Sequence, residues 1–175
     1  MKYASIRKMD IANGEGVRVS LFVSGCHFHC KNCFNVEPQS FEYGNEYTAE
    51  TEERIISLIK PPYVAGLSIL GGDPLWQSEK DIRAYLIPLT EKVKSMGKTV
   101  WIWSGFTWEE INLNSYKMSV IDAKYELVSK CDVLVDGRYK DDMRDLNLKW
   151  RGSANQRVID IKETIVQNRI ILYCD

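Results

Sequence analysis

The chain lacks most features that would place it in a membrane, on nucleic acid or in an oxidising compartment. No run of about 18 apolar residues occurs, so no segment has the length of a bilayer-spanning helix. Lys and Arg total 23 against 24 Asp and Glu, a net charge of −1, which excludes a broad electrostatic footprint for nucleic acid. No leader-like segment, low-complexity stretch or evident repeat is present. The cysteines number five, an odd count that argues against a disulfide framework, and a reducing cytoplasm is the expected location. Only two histidines exist, His27 and His29, so no Ser-His-Asp arrangement can be assembled. Asp73 and Asp136 can be posed as a hydrolase's paired carboxylates, but nothing in the sequence favours that over ligand binding. With 175 residues, 45% hydrophobic and 27% charged, one globular domain over residues 1–175 is expected.

What the chain does have is Ser24-Gly25-Cys26-His27-Phe28-His29-Cys30-Lys31-Asn32-Cys33-Phe34-Asn35. Three thiols spaced x3 then x2, with no fourth nearby, can hold three irons of a cubane and leave the fourth open to a substrate. Iron–sulfur clusters normally take four thiolates, so the missing one points to a catalytic cluster. Zinc is the competing reading, with His27 or His29 as fourth ligand; against it, no second knuckle follows. Cys131 and Cys174 stand alone and read as buried free thiols.

Val17, Val19, Leu21 and Val23 alternate with polar or small residues, a strand that runs straight into the cysteine loop. A helix over residues 48–60 is capped by Thr48, carries Ile55, Ile56 and Ile59 on one face and stops at Pro61-Pro62. A short strand over 67–70 ends in Gly71-Gly72-Asp73-Pro74. Ser78 opens a helix to Met96, with Pro88 expected to kink it and Gly97 to end it. A strand over 99–103 ends in Ser104-Gly105. Helices are expected from near Thr107 and over 119–130, and a strand over 132–135 ends at Asp136-Gly137. Residues 157–161 and 169–173 both read as strands. Strands alternating with helices predict an α/β fold with mainly parallel strands. The informative loops all follow strands, and so converge on one edge, where ligands bind in such sheets. The chain is too short for a closed eight-stranded barrel, so an incomplete, open βα barrel is expected.

Gly71-Gly72-Asp73-Pro74 matches neither a P-loop nor a dinucleotide fingerprint. Its glycines permit close ligand approach, or form a simple turn. Ser104-Gly105 offers a hydroxyl and bare backbone, or only a turn. Asp136 is placed to grip ribose hydroxyls or a cation, and Arg138 to pair with a ligand carboxylate; both also read as solvated turn residues. Trp101 and Trp103, two apart on a strand, face one side and read as core.

The combination of Cys-x3-Cys-x2-Cys with Gly-Gly-Asp-Pro resembles the radical S-adenosylmethionine superfamily. Further blocks are Asn13-Gly-Glu-Gly-Val-Arg18, Leu21-Phe-Val-Ser-Gly-Cys26, Trp101-Ile-Trp-Ser-Gly105, Val133-Leu-Val-Asp-Gly137 and Trp150-Arg-Gly-Ser-Ala-Asn-Gln156. They resemble its glycyl-radical-enzyme activases, in the branch serving anaerobic ribonucleoside-triphosphate reductase. A pyruvate formate-lyase type activase is the alternative within that group, though those chains are longer. The resemblance implies a radical-SAM type fold and an oxidoreductase in which Cys26, Cys30 and Cys33 ligate a [4Fe–4S] cluster whose open iron binds S-adenosylmethionine. It implies that the backbone of Gly71, Gly72 and Asp73 meets the methionine amino group, and that Asn32, Cys33 and Phe34 lie beside the adenine. Ser104 and Asp136 are candidates for the methionyl and ribose parts. Reductive cleavage yields methionine and a 5′-deoxyadenosyl radical, which takes a hydrogen from a glycine on the large subunit of the reductase. Reduced flavodoxin or a similar carrier is the implied electron donor. The chain departs from the superfamily at Asn32, where an aromatic residue is common, and at Asp73, where many relatives have Glu.

Overall fold

The computed structural model describes residues 1–115 and 122–174. Seven strands form one sheet: β1 (Lys2–Asp10), β2 (Val17–Val23), β3 (Asn45–Glu46), β4 (Val64–Gly71), β5 (Thr99–Trp103), β6 (Val133–Asp136) and β7 (Arg157–Asp160). Their spatial order is β3-β1-β2-β4-β5-β6-β7. The central strands β2, β4, β5 and β6 are parallel. β1 is antiparallel to β2 and β3, and β7 to β6. The sheet is open, with β3 and β7 at its edges. The fold is therefore mixed α/β around a mostly parallel sheet.

Helices occupy the connections. α1 (Ala49–Ile59) precedes β4. α2 (Glu79–Asp81), a π-helical stretch (Ile82–Leu86) and α3 (Ile87–Ser95) run on toward β5. α4 (Trp108–Ser115) and α5 (Ala123–Lys130) lie between β5 and β6, and α6 (Ile161–Gln167) follows β7. Short polar side chains start these helices by accepting from orphan amides of the first turn. Thr48 and Thr51 form a reciprocal capping box, and Ser78, Asp122 and Asp160 accept from the amides of Asp81, Lys124 and Glu163. Pro88 is the second residue of α3, just after the π-helical stretch, so its missing N–H falls where the helical bonding pattern changes.

Alternation along each strand sorts side chains to two faces. Val19, Leu21, Val23, Leu67, Ile69, Val100, Ile102, Leu134 and Ile159 join Ile55, Ile59, Leu86, Leu89, Val93 and Leu127 in one core, every one of them fully buried. Each such side chain contributes about 1.5–3 kcal/mol through burial. The other positions carry Arg18, Ser20, Phe22, Ser68, Leu70, Trp101 and Trp103. There Trp101 packs with Val133, Val135 and Val158 in a separate cluster.

Strand ends are level, with Val23 opposite Gly71, Ile69 opposite Ile102 and Trp103 opposite Val135. The loops after β2, β4, β5 and β6 thus share one edge, as the alternation of elements predicts. The structure departs from the expected elements in several places. β1, β3 and α6 have no counterpart among them. The strand predicted over 157–161 ends at Asp160, where α6 begins. Residues 169–173 form no regular strand; they lie against β7 through one bridge, Ile159 to Leu172, and the Asp160 and Tyr173 amides. Of the helix predicted over 119–130, residues 119–121 lie outside the described residues. No helix among the described residues is long and apolar enough to cross a membrane.

Candidate active site

At that edge lies a cavity of about 540 Å³, within the usual range for a small-molecule site. Cys26, Cys30 and Cys33 line it together with Gly71, Gly72, Asp73, Ser104 and Gly105. Phe22, Leu70 and Trp103 supply an apolar wall, and Tyr139, Leu146, Trp150 and Arg151 close it from the C-terminal third of the chain.

The two glycines hold the cysteine loop in place. The Gly72 amide donates to the Val23 carbonyl at 2.7 Å and the Asp73 amide to the Gly25 carbonyl at 2.8 Å. A Cβ on Gly72 would lie 2.6 Å from the Gly25 oxygen, so backbone meets backbone only without a side chain. Gly71 has φ +119°, a torsion that favours glycine, and its carbonyl accepts from Asn35 Nδ2 at 3.1 Å. On its other side the cysteine loop rests on residues 38 and 39, whose carbonyls accept from the Gly25 and Cys26 amides.

Asp73 is almost fully buried and points under the neighbouring strand end. Oδ1 accepts from the Leu75 amide at 2.8 Å, Oδ2 from the Gly105 amide at 2.7 Å, and Ser104 Oγ approaches both oxygens at 2.9 and 3.0 Å. Burial pushes its carboxyl up to about 6, against the pull of these donors. The carboxylate therefore ties β4 to β5, and the Ser104 hydroxyl is engaged with it.

Burial pushes the Cys26 thiol up to about 11, with the Phe28 amide, 3.5 Å from Sγ, drawing it back, and also raises Cys30. A bound metal reverses this balance, because coordination deprotonates a thiol. The donor set decides between the two metal readings. Neither histidine lines the cavity: His27 packs its ring on Phe41 and Trp76, and His29 Nδ1 pairs with Gln39 Oε1 at 2.9 Å. Among the described residues no three His, Cys, Asp or Glu side chains converge on a single ion. A closed zinc site needs four ligands around one point, which these residues do not form. Three half-buried thiols along one cavity wall, with bare backbone beside them, fit a multi-iron cluster ligated at three corners.

The remaining expected residues fall differently. Phe34 stands on the cavity rim, 84% exposed. Asn32 does not line the cavity; it has a left-handed backbone (φ 54°) and donates to Asp141 Oδ2 at 2.7 Å. Asp136 does not line it either. Its oxygens accept from the Trp108 amide at 2.8 Å and from Arg157, whose guanidinium also grips Glu109 with two bonds. Arg157 holds the Glu109 carboxyl down to about 2. A fully buried carboxylate needs such a partner, and Asp136 has it in Arg157. Arg138 pairs with Glu110 and lies over the Phe28 ring rather than in the cavity. Trp103, expected in the core, is half-buried at the wall with Nε1 donating to the Trp150 carbonyl. The wall residues Tyr139, Trp150 and Arg151 carried no chemical signature; the only signal was the distinctive block over 150–156.

Comparison with known proteins agrees with this geometry. Residues 12–159 match the family described as a 4Fe-4S single cluster domain. The anaerobic ribonucleoside-triphosphate reductase-activating protein of Vibrio cholerae is 37% identical over 160 residues, 89% of this chain and 96% of that protein. The protein of that name from Escherichia coli K12 is 36% identical over 163 residues (90% and 97%), and that of phage T4 is 32% identical over 158 (90% and 93%). Similarity of this extent, with the three thiols and the glycine pair in one cavity, means that the chain belongs to the 4Fe-4S single cluster domain family and to the anaerobic ribonucleoside-triphosphate reductase-activating proteins.

Proposed function

We propose that this protein activates anaerobic ribonucleoside-triphosphate reductase by generating a glycyl radical on its large subunit. Cys26, Cys30 and Cys33 hold a [4Fe–4S] cluster, one thiolate each, and S-adenosylmethionine is the cosubstrate in the rest of the cavity. When both are bound, an electron passed through the cluster cleaves the sulfonium to methionine and a 5′-deoxyadenosyl radical, which takes a hydrogen atom from a reductase glycine.

The chain's own residues supply position and shielding. Loading requires the three thiols to lose their protons, and burial of Cys26 and Cys30 opposes free thiolates, so loading favours higher pH. The backbone of Gly71, Gly72 and Asp73 receives the amino group of the cosubstrate. The Asp73 carboxylate serves from behind, holding Ser104 and Gly105 against that position. Phe34 flanks the adenine from the rim. Phe22, Leu70 and Trp103 exclude water from the reactive side. Asn32 and Asp136 act away from the cosubstrate. The reductase covers the cavity mouth, and reduced flavodoxin or a similar low-potential carrier supplies the electron. The open sheet is the partial βα barrel of the radical-SAM type, one domain over residues 1–175. Five unpaired thiols suit a reducing cytoplasm.

The observation that carries this reading is the meeting of all three thiols with Gly71, Gly72 and Asp73 in one cavity. Its test is to mix the iron- and sulfide-reconstituted chain anaerobically with dithionite, S-adenosylmethionine and the reductase large subunit. A carbon-centred radical on the large subunit, seen by electron paramagnetic resonance and absent with Cys30→Ala, is expected. No radical from a chain shown to carry its cluster would refute the assignment.

A further inference from the structure

The segment after β6 lies across the cysteine loop, and side chains hold it there from both sides. On the cysteine side, Asn32 Nδ2 donates to Asp141 Oδ2 at 2.7 Å, across 109 positions of chain. Asp141 Oδ1 accepts from the Tyr139 hydroxyl at 3.1 Å. On the far side, Asn155 Nδ2 donates to the Arg138 carbonyl at 2.8 Å and Gln156 Nε2 to the Gly137 carbonyl at 2.9 Å. The Lys140 amide donates to Ser153 Oγ at 3.1 Å. The segment itself carries one 3₁₀ turn, Asp141–Met143, and a single bridge from Arg144 to Ser153 with the Ala154 amide donating to the Met143 carbonyl at 2.8 Å, so backbone and side-chain bonds together hold its far side, while the cysteine side is held by Asn32.

Asn32 meets two demands at once. Its left-handed backbone is a conformation that asparagine tolerates better than bulky residues do. Its amide also supplies the donor that Asp141 accepts. An aromatic residue at this position would satisfy neither.

We propose that Asp141 is a positioning residue: through Asn32 it clasps the segment after β6 onto the cysteine loop between Cys30 and Cys33. The proposal rests on the reading that these cysteines hold a cluster. The clasp holds the loop that carries two of the three thiols in one arrangement, and opening it lets that loop open locally. A cluster held by the loop should then be easier to strip of iron.

The test uses the full chain, reconstituted with iron and sulfide, as wild type, Asp141→Ala, Asp141→Asn, Asn32→Gly and the Asp141→Ala/Asn32→Gly double variant. Two quantities are measured: iron release to a chelator and hydrogen exchange of amides 27–35. Asp141→Ala and Asn32→Gly, which keeps the left-handed torsion but loses the amide, should each release iron about threefold to tenfold faster, the range of one hydrogen bond. Both should also speed exchange of amides 27–35. The double variant should be no worse than either single one, as for two partners in one interaction. Asp141→Asn, which keeps an acceptor, should stay near wild type. Wild-type release and exchange in Asp141→Ala, or additive effects in the double variant, would overturn the clasp. Iron and sulfide content of the wild type tests the cluster reading separately. If that reading fails, exchange still decides: faster exchange at 27–35 in Asp141→Ala supports the clasp, and unchanged exchange overturns it.

Discussion

The two faces of the central sheet are built from the same strands and obey different rules. On the helix side, Val19, Leu21, Ile69, Ile102 and Leu134 are aliphatic and fully buried. One residue along on each strand, the other face carries Arg18, Ser20, Phe22, Leu70, Trp101 and Trp103. Arg18 is buried there with no carboxylate partner among the described residues; it donates to Ser68, Thr99 and backbone carbonyls instead. The first face minimises surface and maximises packing. The second accepts costly polar burial and leaves about 540 Å³ open beside three thiols. The division implies that stability and chemistry respond to different substitutions, even at neighbouring positions.

The largest effect should come from the cavity side. Cys30→Ala removes one corner ligand, so 5′-deoxyadenosine formation should fall to the no-protein background while urea unfolding shifts by less than about 1 kcal/mol. A loss of fold comparable to the loss of activity would break the contrast. Ile69→Ala, on the helix face, should do the reverse. It should cost about 2–5 kcal/mol in denaturant unfolding, through lost burial and the cavity left behind, while the folded fraction keeps its turnover.

Asp73, where the two faces meet, should show its role through pH. Its carboxyl is raised by burial to about 6 from an ordinary 3.8, so between these values the folded chain holds a proton that the unfolded chain has released. Its contribution is fully present below the lower value and is lost as pH rises through the upper one. Relative to Asp73→Asn, wild-type stability should therefore decline by up to about 3 kcal/mol from roughly pH 4 to pH 7. Paired denaturation curves across that range check it, and a flat difference would contradict it. The smallest effect on stability should come from Phe34→Ala at the exposed rim, within about 0.5 kcal/mol, with weaker S-adenosylmethionine binding by equilibrium dialysis. Unchanged binding would remove Phe34 from the site.

Much of this contrast is legible in the sequence, because period-two alternation in β2 and β5 assigns faces before any contact is known. The cysteine spacing and the Gly71-Gly72 pair likewise single out residues that the fold brings into one cavity. The second use of that pair, letting the Gly25 backbone approach, depends on a neighbour 47 positions away and leaves no local trace. Asp136 falls outside the cavity lining for the same kind of reason: its position after an apolar strand was visible, but its partner Arg157 was not. α6 had a signal that could have been read, Asp160 followed three residues later by Glu163, a capping pattern. Residues 169–173 carry Ile170, Ile171 and Leu172, apolar enough to suggest a strand, and they do lie along β7, but with too few bonds to extend the sheet. β1 escaped because beyond its short pairing with β3 it exposes Ser5, Arg7, Lys8 and Met9, which blur the alternation.

The central claim is that the three thiols and the strand-end backbone form one S-adenosylmethionine-cleaving site. Its most direct test is 5′-deoxyadenosine measured after anaerobic reconstitution and dithionite reduction, with the reductase large subunit present. Wild type should form product and the Cys26→Ala, Cys30→Ala and Cys33→Ala variants should not. Equal product from wild type and any one of these variants, or none from wild type with its cluster intact, would contradict the account.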